Sequence, residues 1–587
     1  MAYTKWNLER IFEEDKEWSQ IILEIDSLKK DVDELKTQLD VSVQDSHWQY
    51  QNLEDILKKF DKLLRKLGKV DSFLKCKKLD NSNQEIPNKI LNELNDALSL
   101  YQRVNNNFNS ILATLDYDFL VESNQALLFK QVSFQLKERK GFYKNSSNKV
   151  SEDELQEAKV NEQEYYSKIS SIVNSSIEFQ DRELLVKELL ANINSNDTRV
   201  RRESFQNLNA VLIRGSEDLF IIFKKIMKYK KRKYHSNSYE NGNLIYSLEY
   251  INKISIKSFN QFEIEHRNIK KPVLDFLKWK ADRLEIKDLS WVDLYVNSGD
   301  IKLRFTFDNA KEIILSSFKE IDKNLYMVAK KVFAENWINV TKHNYTNSGF
   351  CLNIAAIGES RISVNFTGSF RDVLAIAHEI GHAFHNYVIR NLHIFNHNYS
   401  LCIAEAIAIF CENVVFNEMI SRTNKHEEKV FLMETRLQDA TFYLLEMYSC
   451  SLFEKRIFEH DNKSMINNHR DLSRLMVKSQ QEVFNNCLLE YSPTLWITQR
   501  HFYNTNFSFY NISYSIGYLV SLFLLSIFKD RNGHFSHILM GVLSESGSMM
   551  LEDLFVKYTG IEFMSSTFTK SVETQLQNFL KIKDFNI

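Results

Sequence analysis

The stretch AIAHEIGHAFHN at 375–386 sets His378 and His382 four residues apart, with Glu379 beside the first. At 3.6 residues per turn, positions i and i+4 project from one face of a helix, so the two imidazoles can converge on one cation. Glu379 flanks that site without having to coordinate, which leaves its carboxylate available to carry a proton. Leu374, Ile376, Ile380 and Phe384 surround the segment. Burying polar rings among such side chains costs free energy unless the rings have partners. A helix with solvent-facing histidines is the bland alternative, and the apolar surroundings argue against it.

His385 lies seven residues after His378, roughly 10 Å along a helix axis. Zn–N bonds of about 2.1 Å do not gather three rings from one straight helix, so His385 is expected to pack or hydrogen-bond behind the ligands. The pattern H-E-x-x-H-x-x-G-x-x-H is also absent, because His385 stands at its glycine and Val388 at its last histidine. A third ligand must come from another element. The apolar run YSLCIAEAIAIFCENVVFNEMI, 399–420, carries Glu405 and Glu412 seven residues apart, on one face of the helix it predicts. Ala404, Ala406 and Ala408 let another helix approach Glu405 closely, which assigns Glu405 as the third ligand. Glu412 is then expected to hydrogen-bond a ligand histidine, a partly exposed carboxylate being the alternative.

Beyond these residues, the chain resembles the oligoendopeptidase F branch of the thimet oligopeptidase family of zinc metallopeptidases. The similarity covers nearly the whole length. It starts at KWNLERIF (5–12) and NDTRVRRESFQNL (196–208) and is most specific over NSGFCLNIAAIGESRISVNFTGSFRDVLAIAHEIGHAFH (347–385). It ends with RHFYNTNFSFYNISYSIGY (500–518). The resemblance implies one Zn2+ per chain on His378, His382 and Glu405, with Glu379 as general base and Glu412 matching a second acidic residue. It places His501 and Tyr510 at the scissile carbonyl, with Tyr514 nearby. The chain departs from the family at Ala408, where a serine is usual, which puts one supporting hydrogen bond in doubt. Tyr510 and Tyr514 are themselves i, i+4 on a predicted helix, and a phenol can donate to a developing oxyanion. Core aromatics with satisfied hydroxyls are the alternative.

The implied activity is zinc-dependent endopeptidase cleavage of internal bonds in short unfolded oligopeptides. A processing peptidase dedicated to one leader or signalling peptide would carry the same catalytic residues. A zinc carboxypeptidase and a non-hydrolytic peptide-binding protein are further alternatives, although the last would be expected to have lost Glu379 or a ligand.

The elements that must position these residues are mostly helices. Glycine is scarce in the first 200 residues, and apolar residues recur at helical spacing, as in WSQIILEIDSLKKDVDELKTQL (18–39). Polar breaks at 77–87, 144–154 and 192–198 read as loops, the last as a domain boundary. The predicted fold is mainly α: a two-lobed helical zincin with a small β-sheet next to the H-E-x-x-H helix. Residues 1–198 form an N-terminal lobe that, by the resemblance, roofs a deep substrate channel, and residues 199–587 form the catalytic part. The sheet is predicted from alternating patterns at 293–307 and 361–368. The second of these is expected to pair with an extended substrate, and Gly349 to admit a close backbone approach. IGYLVSLFLLSIF, 516–528, reads as a buried helix too short to span a bilayer.

Composition narrows the remaining classes. With 44% apolar and 26% charged residues and a formal charge of -2, nothing global points to nucleic acid or an acidic membrane. The basic run KKIMKYKKRKYH (224–235) reads as a solvated helix face. Six scattered cysteines and an acidic N-terminus suit a cytoplasmic protein with reduced thiols. Oligopeptides are the expected partners, and the oligomeric state is left open.

Overall fold

The computed structural model describes residues 5–13, 16–42, 46–79, 86–115, 127–145, 150–179, 182–233, 248–299, 301, 303–341, 349–459, 466–529 and 534–580. The fold is mainly α, as predicted. The chain falls into two compact units, each drawn from three stretches. The first comprises Met1–Lys144, Leu303–Met419 and Ile527–Thr559. The second comprises Asn145–Lys302, Ile420–Ser526 and Gly560–Ile587, so position 198 falls inside one of its stretches.

In the first unit, long amphipathic helices Glu17–Ser42, Ser46–Leu79 and Asn88–Thr114 pack together. Ile21, Ile25, Leu28, Val32, Leu35 and Leu39 recur every three or four residues and are all buried, forming the apolar stripe that drives the packing. The strands, in chain order, are β1 (Ser176–Phe179) and β2 (Arg182–Leu185), an antiparallel hairpin of the second unit, then β3 (Ile338–Thr341), β4 (Phe350–Ile354) and β5 (Glu359–Asn365). The last three form a sheet in the order β3-β5-β4, with β5 parallel to β3 and antiparallel to β4. The chain leaves β5 directly into the helix Phe370–Ile389, which carries the histidines.

This topology corrects the expected pairing with substrate. The strand expected at 361–368 is present as β5 only as far as Asn365, and it lies at the centre of the sheet with both edges hydrogen-bonded. β4 is at the sheet's edge instead. The strand expected at 293–307 does not form among the described residues: Trp291–Asp293 is a 3-10 turn, and Arg304 makes one isolated bridge to Ser369. Polar partners from helices have claimed that segment. Asp293 binds Arg201 at 2.7 Å, Lys280 donates to the carbonyl of Val296, and Ser298 donates to Glu434 at 2.7 Å.

The apolar block at 516–528 is part of a longer helix, Tyr510–Lys529, which by length and composition alone could cross a membrane; 78% of its apolar window is buried inside the protein. The basic run is only partly a solvated face. In the helix Ser216–Lys233, Lys224, Lys225 and Lys228 are exposed but Lys230 is fully buried. Residues 234 and 235 lie outside the described residues.

Candidate metal centre and active site

The histidine helix Phe370–Ile389 starts at a capping box, in which the Ser369 side chain accepts from the Asp372 N–H and the Asp372 carboxylate takes the Ser369 N–H. Its partner in the first unit is the glutamate helix, Leu401–Arg422. At Gly381 the two touch backbone to backbone: a Cβ there would stand 2.7 Å from Ala408 Cα and 3.0 Å from the Ile407 carbonyl oxygen. Glycine and alanine at the crossing thus let the glutamate helix come close enough to deliver Glu405.

His378, His382 and Glu405 converge, with one ligand atom from each lying within 4.8 Å of the others. The two Nε2 atoms are 3.2 Å apart and the ring planes are 81° from parallel. From His378 Nε2 to Glu405 Oε2 is 3.7 Å. Two ligand atoms each about 2.1 Å from a tetrahedral ion lie about 3.4 Å apart, so the 3.2 Å and 3.7 Å spacings suit zinc, as does the nitrogen–nitrogen–oxygen donor set. Glu412 hydrogen-bonds Nδ1 of His378. That bond fixes the ring so that Nε2 faces the cluster, the usual arrangement behind a metal-bound histidine.

Glu379 is buried, and its Oε2 has no hydrogen-bond partner. Burial pushes its pKa up to about 7, against the pull of His378. Burial works against the charged form of His378 as well, yet the hydrogen bond and charge of Glu412, with Glu379 and Glu405 nearby, lift it to about 10. His382 is driven well below the ordinary histidine range by burial and by the charge on His378. Three carboxylates around two imidazoles make an electronegative pocket, a setting in which a dication offsets the cost of burying charge. Gly349, at φ +118°, stands beside it, and a Cβ there would lie 3.0 Å from Glu379 Oε1. The room this glycine leaves is therefore filled first by the Glu379 carboxylate.

His385 does not join the cluster. It is buried between Ser546, whose Oγ is 2.9 Å from Nε2, and the Tyr399 ring at 4.0 Å, and burial pushes its pKa down to about 3.

The second unit holds the other group. His501 lies on a 3-10 turn, Arg500–Phe502, and Tyr510 and Tyr514 on the first turns of the helix Tyr510–Lys529. The His501 ring is 4.5 Å from Tyr510 and 5.7 Å from Tyr514, and the tyrosine rings are 5.5 Å apart. His501 Nδ1 is 2.8 Å from Asn511 Oδ1, and burial holds its pKa below the ordinary value. Just before Tyr510, Phe509 adopts φ +57°, a strained conformation for an aromatic residue, locked by burial against Phe458 at 4.9 Å. Tyr443, on the π-helical turn Phe442–Glu446, stacks on Tyr514 and Tyr518. Sequence reasoning missed Asn511 and Tyr443, which carry no motif signal of their own.

Residues 324–574 match the family model described as Peptidase family M3. The chain is 24% identical to the Oligoendopeptidase F homolog of Borreliella burgdorferi over 62% of this chain and 63% of that protein. It is 21% identical to the chromosomal Oligoendopeptidase F of Lactococcus lactis subsp. cremoris over 42% and 41%. With both, the match spans less than two thirds of the relative. With the Oligoendopeptidase F homolog of Mycoplasma genitalium it is 22% identical over 85% of this chain and 87% of that protein. Among solved structures, "PZ peptidase A with inhibitor 2" shares the fold with a TM-score of 0.72 at 14% identity, covering 96% of this chain and 98% of that one. Oligoendopeptidase-F from Enterococcus faecium does so with a TM-score of 0.63 at 15% identity and the same coverage of 96% and 98%. The resemblance read from the motifs is thereby borne out: the chain is similar to oligoendopeptidase F homologues, and its segment bearing His378, Glu379, His382, Glu405 and Glu412 matches Peptidase family M3.

Proposed function

We propose that the protein is a zinc-dependent endopeptidase that hydrolyses internal bonds of short unfolded oligopeptides. The observation that carries this reading is the convergence of His378, His382 and Glu405 beside a buried Glu379 whose Oε2 lacks a hydrogen-bond partner. His378, His382 and Glu405 would hold one Zn2+ per chain. When bound, zinc supplies Lewis acidity toward a carbonyl oxygen and toward water.

Glu379 takes the proton of the attacking water and passes it to the leaving amine, a role suited by a carboxyl near neutrality. By the family resemblance, Tyr510 and His501 are the donors to the developing oxyanion. A neutral His501 donates through Nε2 only if Nδ1 accepts, and Asn511 can meet that need by presenting its amide N–H. The amide nitrogen of Asn511 is buried without a partner, so turning the side chain over pairs it with Nδ1. An unpaired carbonyl oxygen costs less than an unpaired buried N–H. Tyr514 supports the same group.

β4, at the sheet's edge and starting next to Gly349 and Glu379, is the strand along which an extended peptide backbone would pair, a mode that demands little side-chain sequence. The restriction to short peptides rests on the family resemblance, as does the reading of residues 1–198 as the roof of a channel in a catalytic part spanning 199–587. A cytoplasmic location belongs to the same proposal, on the cysteine usage.

The test is to incubate the zinc-loaded protein with peptides of varied sequence and length, map the cuts by mass spectrometry, and repeat with chelator. Chelator-sensitive internal cleavage is expected. Release of single C-terminal residues would mark a carboxypeptidase, and cleavage of one sequence alone a dedicated processing enzyme. An absence of chelator-sensitive cleavage would sink the enzymatic reading.

A further inference from the structure

We propose that Lys230 is a positioning residue for His501: its buried ammonium grips the backbone of the turn that presents the imidazole. The inference rests on the reading of His501 given above. Lys230 Nζ lies 3.0 Å from the carbonyl oxygen of Phe502 and 3.2 Å from that of His501. The side chain is 0% exposed, and the only carboxylate within 4.0 Å of the ammonium among the described residues is that of Glu454, 1% exposed.

Burying an ammonium is costly, and here burial pushes its pKa down to about 8, so the charge is kept at neutral pH. A packing role would be filled at lower cost by an apolar side chain of similar length. The charge is explained by its acceptors: two consecutive carbonyls at the end of the 3-10 turn Arg500–Phe502, where a short helix leaves its last carbonyls without helical partners. With the backbone held there and Nδ1 of the ring held by Asn511, His501 is restrained at both ends, leaving Nε2 to act.

The rest of the loop is gripped the same way. Lys233, one turn on, donates to the carbonyls of Thr505 at 3.2 Å and Asn506 at 3.0 Å. Glu162 accepts from the Thr505 N–H at 3.1 Å and hydroxyl at 2.6 Å, and Tyr165 stacks on Tyr503 at 3.6 Å. Lys230 and Lys233 of the basic run thus both hold the segment carrying His501.

The experiment compares kcat and KM for a fluorogenic peptide in the zinc-loaded full chain, with zinc content and thermal unfolding measured in parallel. The variants are Lys230→Met, Lys230→Met with Glu454→Gln, Lys230→Arg, His501→Ala, and the Lys230→Met, Glu454→Gln and His501→Ala changes combined. Removing both buried charges together keeps the test valid if Lys230→Met alone, which strands Glu454, does not fold. The expected result is a tenfold or greater fall in kcat for Lys230→Met with Glu454→Gln, at unchanged KM and zinc content. No further fall is expected once His501 is already alanine, and partial recovery is expected with Lys230→Arg. If His501→Ala slows turnover while the lysine variants stay within twofold of the parent, or if the combined losses multiply, the Lys230 proposal is overturned. If His501→Ala itself leaves kcat unchanged, the reading of His501 falls, and the role of Lys230 with it.

Discussion

In the first unit the candidate ligands stand in the middle of two long helices whose backbones touch at Gly381 and Ala408. In the second, His501 stands on a three-residue turn, and Tyr510 follows a strained Phe509. The helices order His378, His382 and Glu405 through regular geometry, and one hydrogen bond from His378 Nδ1 to Glu412 finishes the orientation. The turn has no such regularity, so side chains do the work: Lys230 and Lys233 on carbonyls, Asn511 on the ring, Tyr443 against Tyr514. Rigid elements suit a metal, whose ligands must sit within tenths of an ångström. A braced turn suits hydrogen-bond donors, which tolerate more spread.

If the two groups divide the labour in this way, substitutions should separate metal retention from turnover. Glu379→Gln should lower kcat by about 10²–10⁴-fold, the usual worth of a positioned proton carrier, while the protein still binds zinc after equilibrium dialysis. Full peptidase activity in this variant would remove Glu379 from its assigned role. Tyr510→Phe should cost about 10²–10³-fold in kcat with zinc content and KM nearly unchanged, since it removes one oxyanion donor; loss of zinc in that variant would break the division between the groups. Glu412→Gln should weaken zinc affinity about 10–100-fold, measured by competition with a chromogenic chelator, because it disturbs the ring behind a ligand rather than a ligand itself.

Gly381→Ala tests the crossing itself. Its Cβ meets backbone, which cannot swing aside, so the folded state should be destabilised by about 1–3 kcal/mol, and zinc affinity should fall with it as Glu405 is pushed back. Unchanged stability and affinity would show that the helices give way easily and that the first group is less rigid than described.

Much of the first group was legible in the chain because a helix converts sequence spacing directly into direction. His378, His382, Glu405 and Glu412 needed only the 3.6-residue period and the run of small residues to be read as facing one another. The exclusion of His385 followed from helix rise, and the structure seats it between Ser546 and Tyr399. Sheet readings fared less well. Period-two alternation marked 361–365 correctly as strand, but alternation alone does not say which neighbours a strand takes, so the central place of β5 was hidden. At 293–307 the polar side chains of the alternation, Asp293 and Ser298, instead meet Arg201 and Glu434 across a loop.

By itself, then, the sequence determined the helical character, the spacing of the histidine–glutamate cluster and the family likeness, since each depends on residues close together in the chain or on motif strings. Only the tertiary structure decided which strand lies at the sheet's centre, why position 349 is glycine, and that a lysine in a run resembling a solvated face turns inward to hold His501. Those facts depend on contacts between residues far apart in sequence, where burial and hydrogen-bond demand, rather than local pattern, set the outcome.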